Sequence, residues 1–175
     1  PVTRVQGSFR DPSGNIFTRD GEIYRQVNLT YRDDYDFLIS SGLYDDLVNS
    51  ALLIGHEEID FDKFGPDQVG LESFENPNVY KILKPVRIPF ISYPYEWCFS
   101  QLKDAALTTL AIQKKALDFG MTLKDSSAFN IQFYRGKPVL IDTLSFKKIR
   151  EGEPWTAYKQ FCQHFLAPLA LMSYK

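Results

Sequence analysis

Three oxygen-bearing side chains, Asp125, Asn130 and Asp142, stand in the stretch LKDSSAFNIQFYRGKPVLID, Leu123 to Asp142. The rest of the stretch reads as a β-hairpin. Ile131, Phe133, Val139 and Ile141 alternate as strand residues do, and Arg135-Gly136-Lys137 supplies the turn. Paired strands lie about 4.8 Å apart. The hairpin therefore returns Asp142 to the side of Asn130, and Asp125, upstream in a loop, can face the same cleft. Two carboxylates and an amide oxygen make an oxygen-only set suited to Mg²⁺, a hard cation that takes a few protein ligands and completes its shell with phosphate and water. A remaining carboxylate can orient or deprotonate a hydroxyl. Each residue alone also has a plain structural use, since Asp and Asn favour caps and turns.

Elements on both sides must hold these groups. Upstream, a helix is predicted from about Glu96 or Phe99 to Phe119, with an inner face of Leu102, Ala105, Ala106, Thr109, Leu110, Ile112 and Leu117 and a stop at Gly120. Downstream, EPWTAYKQFCQHFLAPLALMSY reads as a helix kinked or restarted at Pro168. The N-terminal stretch GSFRDPSGNIFTRDGEIYRQVN offers three extended runs, with turns at Asp11-Pro12-Ser13-Gly14 and Arg19-Asp20-Gly21. Thr30 is placed to cap a helix, with Asp33 as a capping-box acid, and Gly42 splits that helix in two. GHEEIDFDKFGPDQVGLESFENPNVY is polar and rich in Gly and Pro, the pattern of a surface loop. YKILKPVRIPFIS reads as an extended pair ending near Tyr93-Pro94-Tyr95.

Composition narrows the function classes. At 44% hydrophobic residues the chain can build a core, and 15% aromatics give that core large flat side chains. A net charge of −2 with no basic block argues against nucleic acid or an anionic membrane surface as partner. No apolar run approaches the ~18 residues of a membrane span. Cys98 and Cys162 lack zinc-site spacing and read as buried thiols in a reducing cytoplasm. The chain starts at Pro1 and stops inside an apolar helical pattern, so a fragment of a longer protein is expected.

LKDSSAFN…VLIDTLSF resembles the catalytic loop and metal-binding segment of the protein-kinase-like fold, especially the small-molecule kinases related to aminoglycoside phosphotransferases. The resemblance implies an α+β, two-lobed architecture: an N-terminal lobe over 1–92 with a small antiparallel sheet, a hinge at 93–98 in SYPYEW, and a truncated, mostly helical C-terminal lobe over 99–175. It implies ATP and Mg²⁺ as cofactors, Asp125 as the catalytic aspartate, and Asn130 and Asp142 as metal ligands. The chain has no lysine before Lys63, so Arg25 in IYRQV takes the place of the phosphate-holding lysine. Leu123 and Lys124 precede Asp125 in place of the usual His-Arg or His-Gly, and Thr143-Leu144 follows Asp142 in place of Phe-Gly. Lys124 either contacts a transferred phosphate or faces solvent. Nearly the whole chain, through GEIYRQVN, SSGLYDDLV, YPYEWCFSQLKDAAL and GEPWTAYKQFCQHFLAPLAL, also resembles the N-terminal part of long bacterial SAM-dependent methyltransferases, some of them nodulation-related. That implies a covalently linked methyltransferase domain, and SAM as its cofactor, in a longer parent. No Gly-x-Gly-x-x-Gly follows a strand within these residues.

Other residues admit two readings each. Arg25 pairs with an acid such as Asp36 or meets phosphate. Tyr93, Tyr95 and Trp97 line an adenine pocket or pack between lobes. His56, beside Glu57 and Glu58, is a surface histidine or an acid–base site, and His164 is a packed histidine with no evident partner. Ser126, Ser127 and Ser145 have no His-Asp arrangement, which rules against a serine hydrolase. The expectation is a kinase-like nucleotide and Mg²⁺-binding domain acting on a small-molecule substrate. Its rival is a non-catalytic regulatory or structural module of a larger methyltransferase.

Overall fold

Asp20 and Gly21, at φ 52° and 82°, turn the chain between β2 (Gly14–Arg19) and β3 (Glu22–Asn28). Two successive positive-φ residues match the right-handed twist of a hairpin. The computed structural model describes residues 2–4, 11–60 and 78–174. The first expected extended run, ahead of Asp11, and most of the expected polar loop lie outside them. The chain divides into two compact units, Pro1–Tyr35 with Gly55–Arg87, and Asp36–Ile54 with Ile88–Lys175.

In the first unit, five strands among the described residues form one antiparallel sheet in the order β1-β2-β3-β5-β4. Besides the hairpin these are β1 (Val2–Arg4), β4 (His56–Ile59) and β5 (Val79–Pro85). Asp11 sets the entry to β2: its Oδ1 accepts from Ser13 N at 2.8 Å and its carbonyl from Gly14 N at 3.3 Å. Phe17 and Ile82 are buried with Tyr24, Ile59 and Val79 against them. Two expectations are corrected here. His56–Ile59 is a strand rather than surface loop, because its partner β5 supplies the ladder that its charged residues disguise. Thr30 sits inside a 3₁₀ turn (Leu29–Tyr31), and its hydroxyl donates to Pro12 O at 2.8 Å. It tethers the approach to α1 (Arg32–Ser40) instead of capping it.

The second unit takes in the end of α1, α2 (Leu43–Asn49) and the long α3 (Phe99–Asp118). Gly42 separates α1 from α2 at φ 84°, as its position suggested. A Cβ there would meet only the Phe119 ring, at 3.8 Å. The cost of Gly42→Ala is therefore conformational, about 1 kcal/mol. Urea unfolding followed by tryptophan fluorescence should show it, since Trp97 and Trp155 both belong to this unit. An unchanged midpoint would count against the left-handed turn.

In α3 the buried residues are Leu102, Ala105, Ala106, Thr109, Ile112, Gln113 and Ala116. Leu110 and Leu117, expected inside, are 41% and 49% exposed. Each is one step, about 100° of helix, past the buried Thr109 or Ala116. Gln113 takes an inner place by satisfying the next strand: its Oε1 accepts from Leu123 N at 2.8 Å. That strand, β6 (Met121–Leu123), pairs with β9 (Phe146–Lys148), while β7 (Ile131–Tyr134) pairs with β8 (Lys137–Leu140). Arg135 and Gly136, at φ 51° and 76°, form the expected hairpin turn. Leu140 also bonds Leu52 O and Ile54 N, both at 2.9 Å, which ties the segment after α2 to the hairpin.

The C-terminal helix runs as α4 (Tyr158–Phe161), a π-helical turn (Cys162–Leu166) and α5 (Ala167–Ser173). The irregularity expected at Pro168 is the wider turn just before it, where a proline lacking N–H would clash with a carbonyl four residues back. The core gathers Leu38, Leu47, Leu102, Ile112, Met121 and Phe165 among others. Cys98 is exposed and Cys162 half-buried, which corrects the expectation of two buried thiols. The fold is α+β, with a small antiparallel sheet and a helix-rich remainder. No helix among the described residues is long and apolar enough to cross a membrane.

Candidate functional site

Three-residue strands carry no hydrophobic period to speak of, yet the β6–β9 ladder sets the geometry here. The loop 124–130 leaves β6 for β7, and residues 141–145 leave β8 for β9. With β6 against β9 and β7 against β8, both connections must lie side by side. They meet at Ser145, which is fully buried. Its Oγ donates to Asp142 Oδ2 at 3.0 Å and lies 3.4 Å from Asn130 Nδ2. Its carbonyl accepts from Lys124 N at 2.8 Å, and Asn130 O accepts from Ile141 N at 2.8 Å.

Asn130 and Asp142 are thus brought together, and Lys124 joins them through its backbone. Asp142 is 9% exposed. Its Oδ1 accepts from Leu144 N at 3.0 Å, so the carboxylate caps the 3₁₀ turn Thr143–Ser145 while it holds the serine hydroxyl. Asp125 is half-buried, and its Oδ1 accepts from Ser127 N at 2.9 Å, closing an Asx turn at the head of the loop. From the sequence Ser145 is only a serine without a His-Asp arrangement, which counts against a serine hydrolase. Its junction role had one local signal, an acid three residues before a hydroxyl, which is capping chemistry.

Tyr93 and Tyr95 stack with centroids 5.4 Å apart and planes 3° from parallel, and both are exposed. Trp97 is instead a core residue, 5% exposed, edge-on to Phe133 and donating to Ser92 Oγ at 2.8 Å. An open groove of about 350 Å³ is lined by Pro94, Tyr95, Leu102, Phe129, His164 and Pro168, among others. His164, expected to lack a partner, has two: its Nδ1 lies 3.2 Å from Ser127 Oγ and 3.3 Å from Ala128 N.

In the first unit, Arg25 on β3 has its guanidinium 3.7 Å from Asp11 Oδ2, in the turn leading into β2, where the sequence suggested Asp36. His56 is not a simple surface histidine. Strand alternation puts it on one face with Glu58, and Tyr35 bridges them: its hydroxyl donates to Glu58 Oε1 at 2.9 Å and lies 3.1 Å from His56 Nε2. Because the single hydroxyl proton goes to Glu58, Nε2 carries the imidazole proton. Burial lowers the His56 pKa to about 4, with the Glu58 charge opposing. Burial pushes Glu58 up, but the Lys81 and Tyr35 hydrogen bonds outweigh it and hold the carboxyl below its usual value. Among the described residues no group of three His, Cys, Asp or Glu side chains is arranged to hold a metal. A metal at Ser145 would rest on a mixed carboxylate and amide set.

No protein-family model matches the chain. It is 38% identical over 170 residues to Nodulation protein NoeA of Rhizobium meliloti (strain 1021), an alignment covering 97% of the chain and 34% of that protein. The chain therefore spans about a third of the length of the curated relative it matches.

Proposed function

We propose that the chain is a protein-kinase-like domain whose second unit carries the metal- and phosphate-binding side chains of a nucleotide site. The observation that supports this is the meeting of the Asp125–Asn130 loop and the Asp142 turn at Ser145, through the β6–β9 and β7–β8 ladders. In this reading Asn130 Oδ1 and the Asp142 carboxylate take Mg²⁺. Asp125 orients and deprotonates the hydroxyl of a small-molecule acceptor, and Lys124 offsets phosphate charge. Tyr93 and Tyr95 give a flat face to the base. The donor types fit the ion, since a carboxylate and an amide oxygen are the hard ligands that Mg²⁺ prefers. When bound, Mg²⁺ would neutralise phosphate charge. Two or three protein oxygens are too few to hold it alone, so the metal and the nucleotide must bind together.

A second reading, a nucleotide-binding module without transfer, draws support from Asp125 and Asp142. Both use carboxylate oxygens to cap their own turns. A nodulation role and a covalently linked SAM-dependent methyltransferase domain are proposed only for a longer protein of the kind the chain matches.

Thermal denaturation with ATP, GTP or SAM, each with and without Mg²⁺, tests the site. ATP with Mg²⁺ at a hundred times Kd should stabilise by about 2.7 kcal/mol, and Mg²⁺ alone should do nothing. Asp125→Ala should keep that stabilisation and abolish γ-phosphate transfer. Wild type that is stabilised without transfer would select the second reading. No response to any nucleotide would end both.

A further inference from the structure

Between Leu123 and Ala128 the chain is bonded at several points to the C-terminal helix and to the residues leading into it. Trp155 Nε1 donates to Leu123 O at 2.9 Å. Ser126 Oγ donates to Ala157 O at 2.8 Å, and Ser126 N to Gln160 Oε1 at 2.7 Å. Ala128 N then donates to His164 Nδ1 at 3.3 Å, with Ser127 Oγ 3.2 Å from the same nitrogen. Gln160 and His164 stand four residues apart along the helix, and Ala157, the residue just ahead of it, meets Ser126 through its carbonyl. The neighbouring Phe161 and Phe165, 2% and 0% exposed, anchor that helix in the core. His164 stands in the π-helical turn, a rare geometry that concentrates at functional sites.

We infer that this helical face is a clamp setting the loop that presents Asp125 and Asn130, and that His164 is its positioning residue. It acts through Ser127 and Ala128, and it must do so as an acceptor. The Ala128 N–H points at Nδ1, which accepts from it. Ser126 and Ala128 flank Ser127, whose amide closes on Asp125 Oδ1. Holding the two outer residues fixes the turn that aims the carboxylate. Outer partners of this kind are worth about 10–100-fold in affinity or activity where a metal is bound. The link to nucleotide binding rests on the function proposed above; the clamp itself does not.

The test compares His164→Asn, His164→Gln and His164→Phe in the full chain. Amide exchange is read at Ser126 and Ala128 by NMR, and affinity for ATP with Mg²⁺ by calorimetry. An Asn Oδ1 stands where Nδ1 stood, whereas a Gln side chain reaches the Nε2 position. Asn should preserve Ala128 protection and affinity. Gln and Phe should each lose about tenfold in protection and at least about tenfold in affinity. Gln160→Ala, one turn away, should release the Ser126 amide and guards against a His164 variant that fails to fold. Unchanged protection in Phe, or Asn and Gln behaving alike, would overturn the clamp. If wild type binds no ATP, the functional reading fails and amide exchange alone decides the clamp.

Discussion

Replacing Asp142 with alanine should lower the melting temperature of the second unit by about 6–12 °C, the equivalent of roughly 3 kcal/mol in a chain of this size. The carboxylate is 9% exposed and receives Leu144 N and Ser145 Oγ, and both of those residues are fully buried. Alanine leaves an amide and a hydroxyl without their acceptor where water does not reach. Asn should cost less, about 1 kcal/mol, because its Oδ1 still serves Leu144. Its Nδ2, though, faces a hydroxyl that Asn130 Nδ2 already approaches. Tryptophan fluorescence reads this unit selectively. A double variant with Ser145→Ala should lose less than the sum of its parts, since the two side chains share one hydrogen bond. A melting temperature for Asp142→Ala within about 2 °C of wild type would mean that Ser145 is not held as described.

Acid should weaken the first unit well before carboxylates titrate. His56 has a folded pKa of about 4 against an ordinary 6.5. Between those values the unfolded chain binds the proton and the folded chain does not, so stability falls as pH drops. The loss begins near pH 6.5 and saturates below about 4, reaching about 1–2 kcal/mol at pH 5 relative to pH 7. Glu58, held low by Lys81 and Tyr35 against its burial, adds a loss of the same sign only below its ordinary 4.5. Urea unfolding by circular dichroism at pH 7 and pH 5, compared between wild type and His56→Gln, isolates this histidine. The glutamine keeps a donor toward Tyr35 Oη and cannot charge, so the variant should lose less stability than wild type across that interval, by about 1–2 kcal/mol. Equal pH slopes in the two proteins would refute the assignment.

What could be read in advance followed local rules. The β7–β8 hairpin showed in its alternation and in Arg135-Gly136, and Gly42 marked the break between α1 and α2. The bounds of α3 showed in its periodicity, but Leu110 and Leu117 misled, because adjacent positions on a helix differ by a step no apolar count can see. β4 hid behind charge: His56 and Glu58 face a polar network, so the strand never looks half-buried and apolar. The types of the site residues were plain in Asp125, Asn130 and Asp142. Their junction was not. Ser145 acts through a hydroxyl and a carbonyl that the 124–130 loop reaches only once three-residue strands have paired. Gln160 and His164 were hidden for the same reason, since their partners are backbone amides more than thirty residues away.

The second unit is assembled from two stretches of chain, and between them in sequence come residues 55–87, which belong to the first unit. A ribosome delivers Asp36–Ile54 early, but Leu52 and Ile54 find their partner only when Leu140 emerges. Until then Leu43 and Leu47 have no completed interior to enter. The molecule cannot mature strictly from front to back, and a nascent chain halted before the hairpin would carry an unfinished, sticky surface for a chaperone to shield.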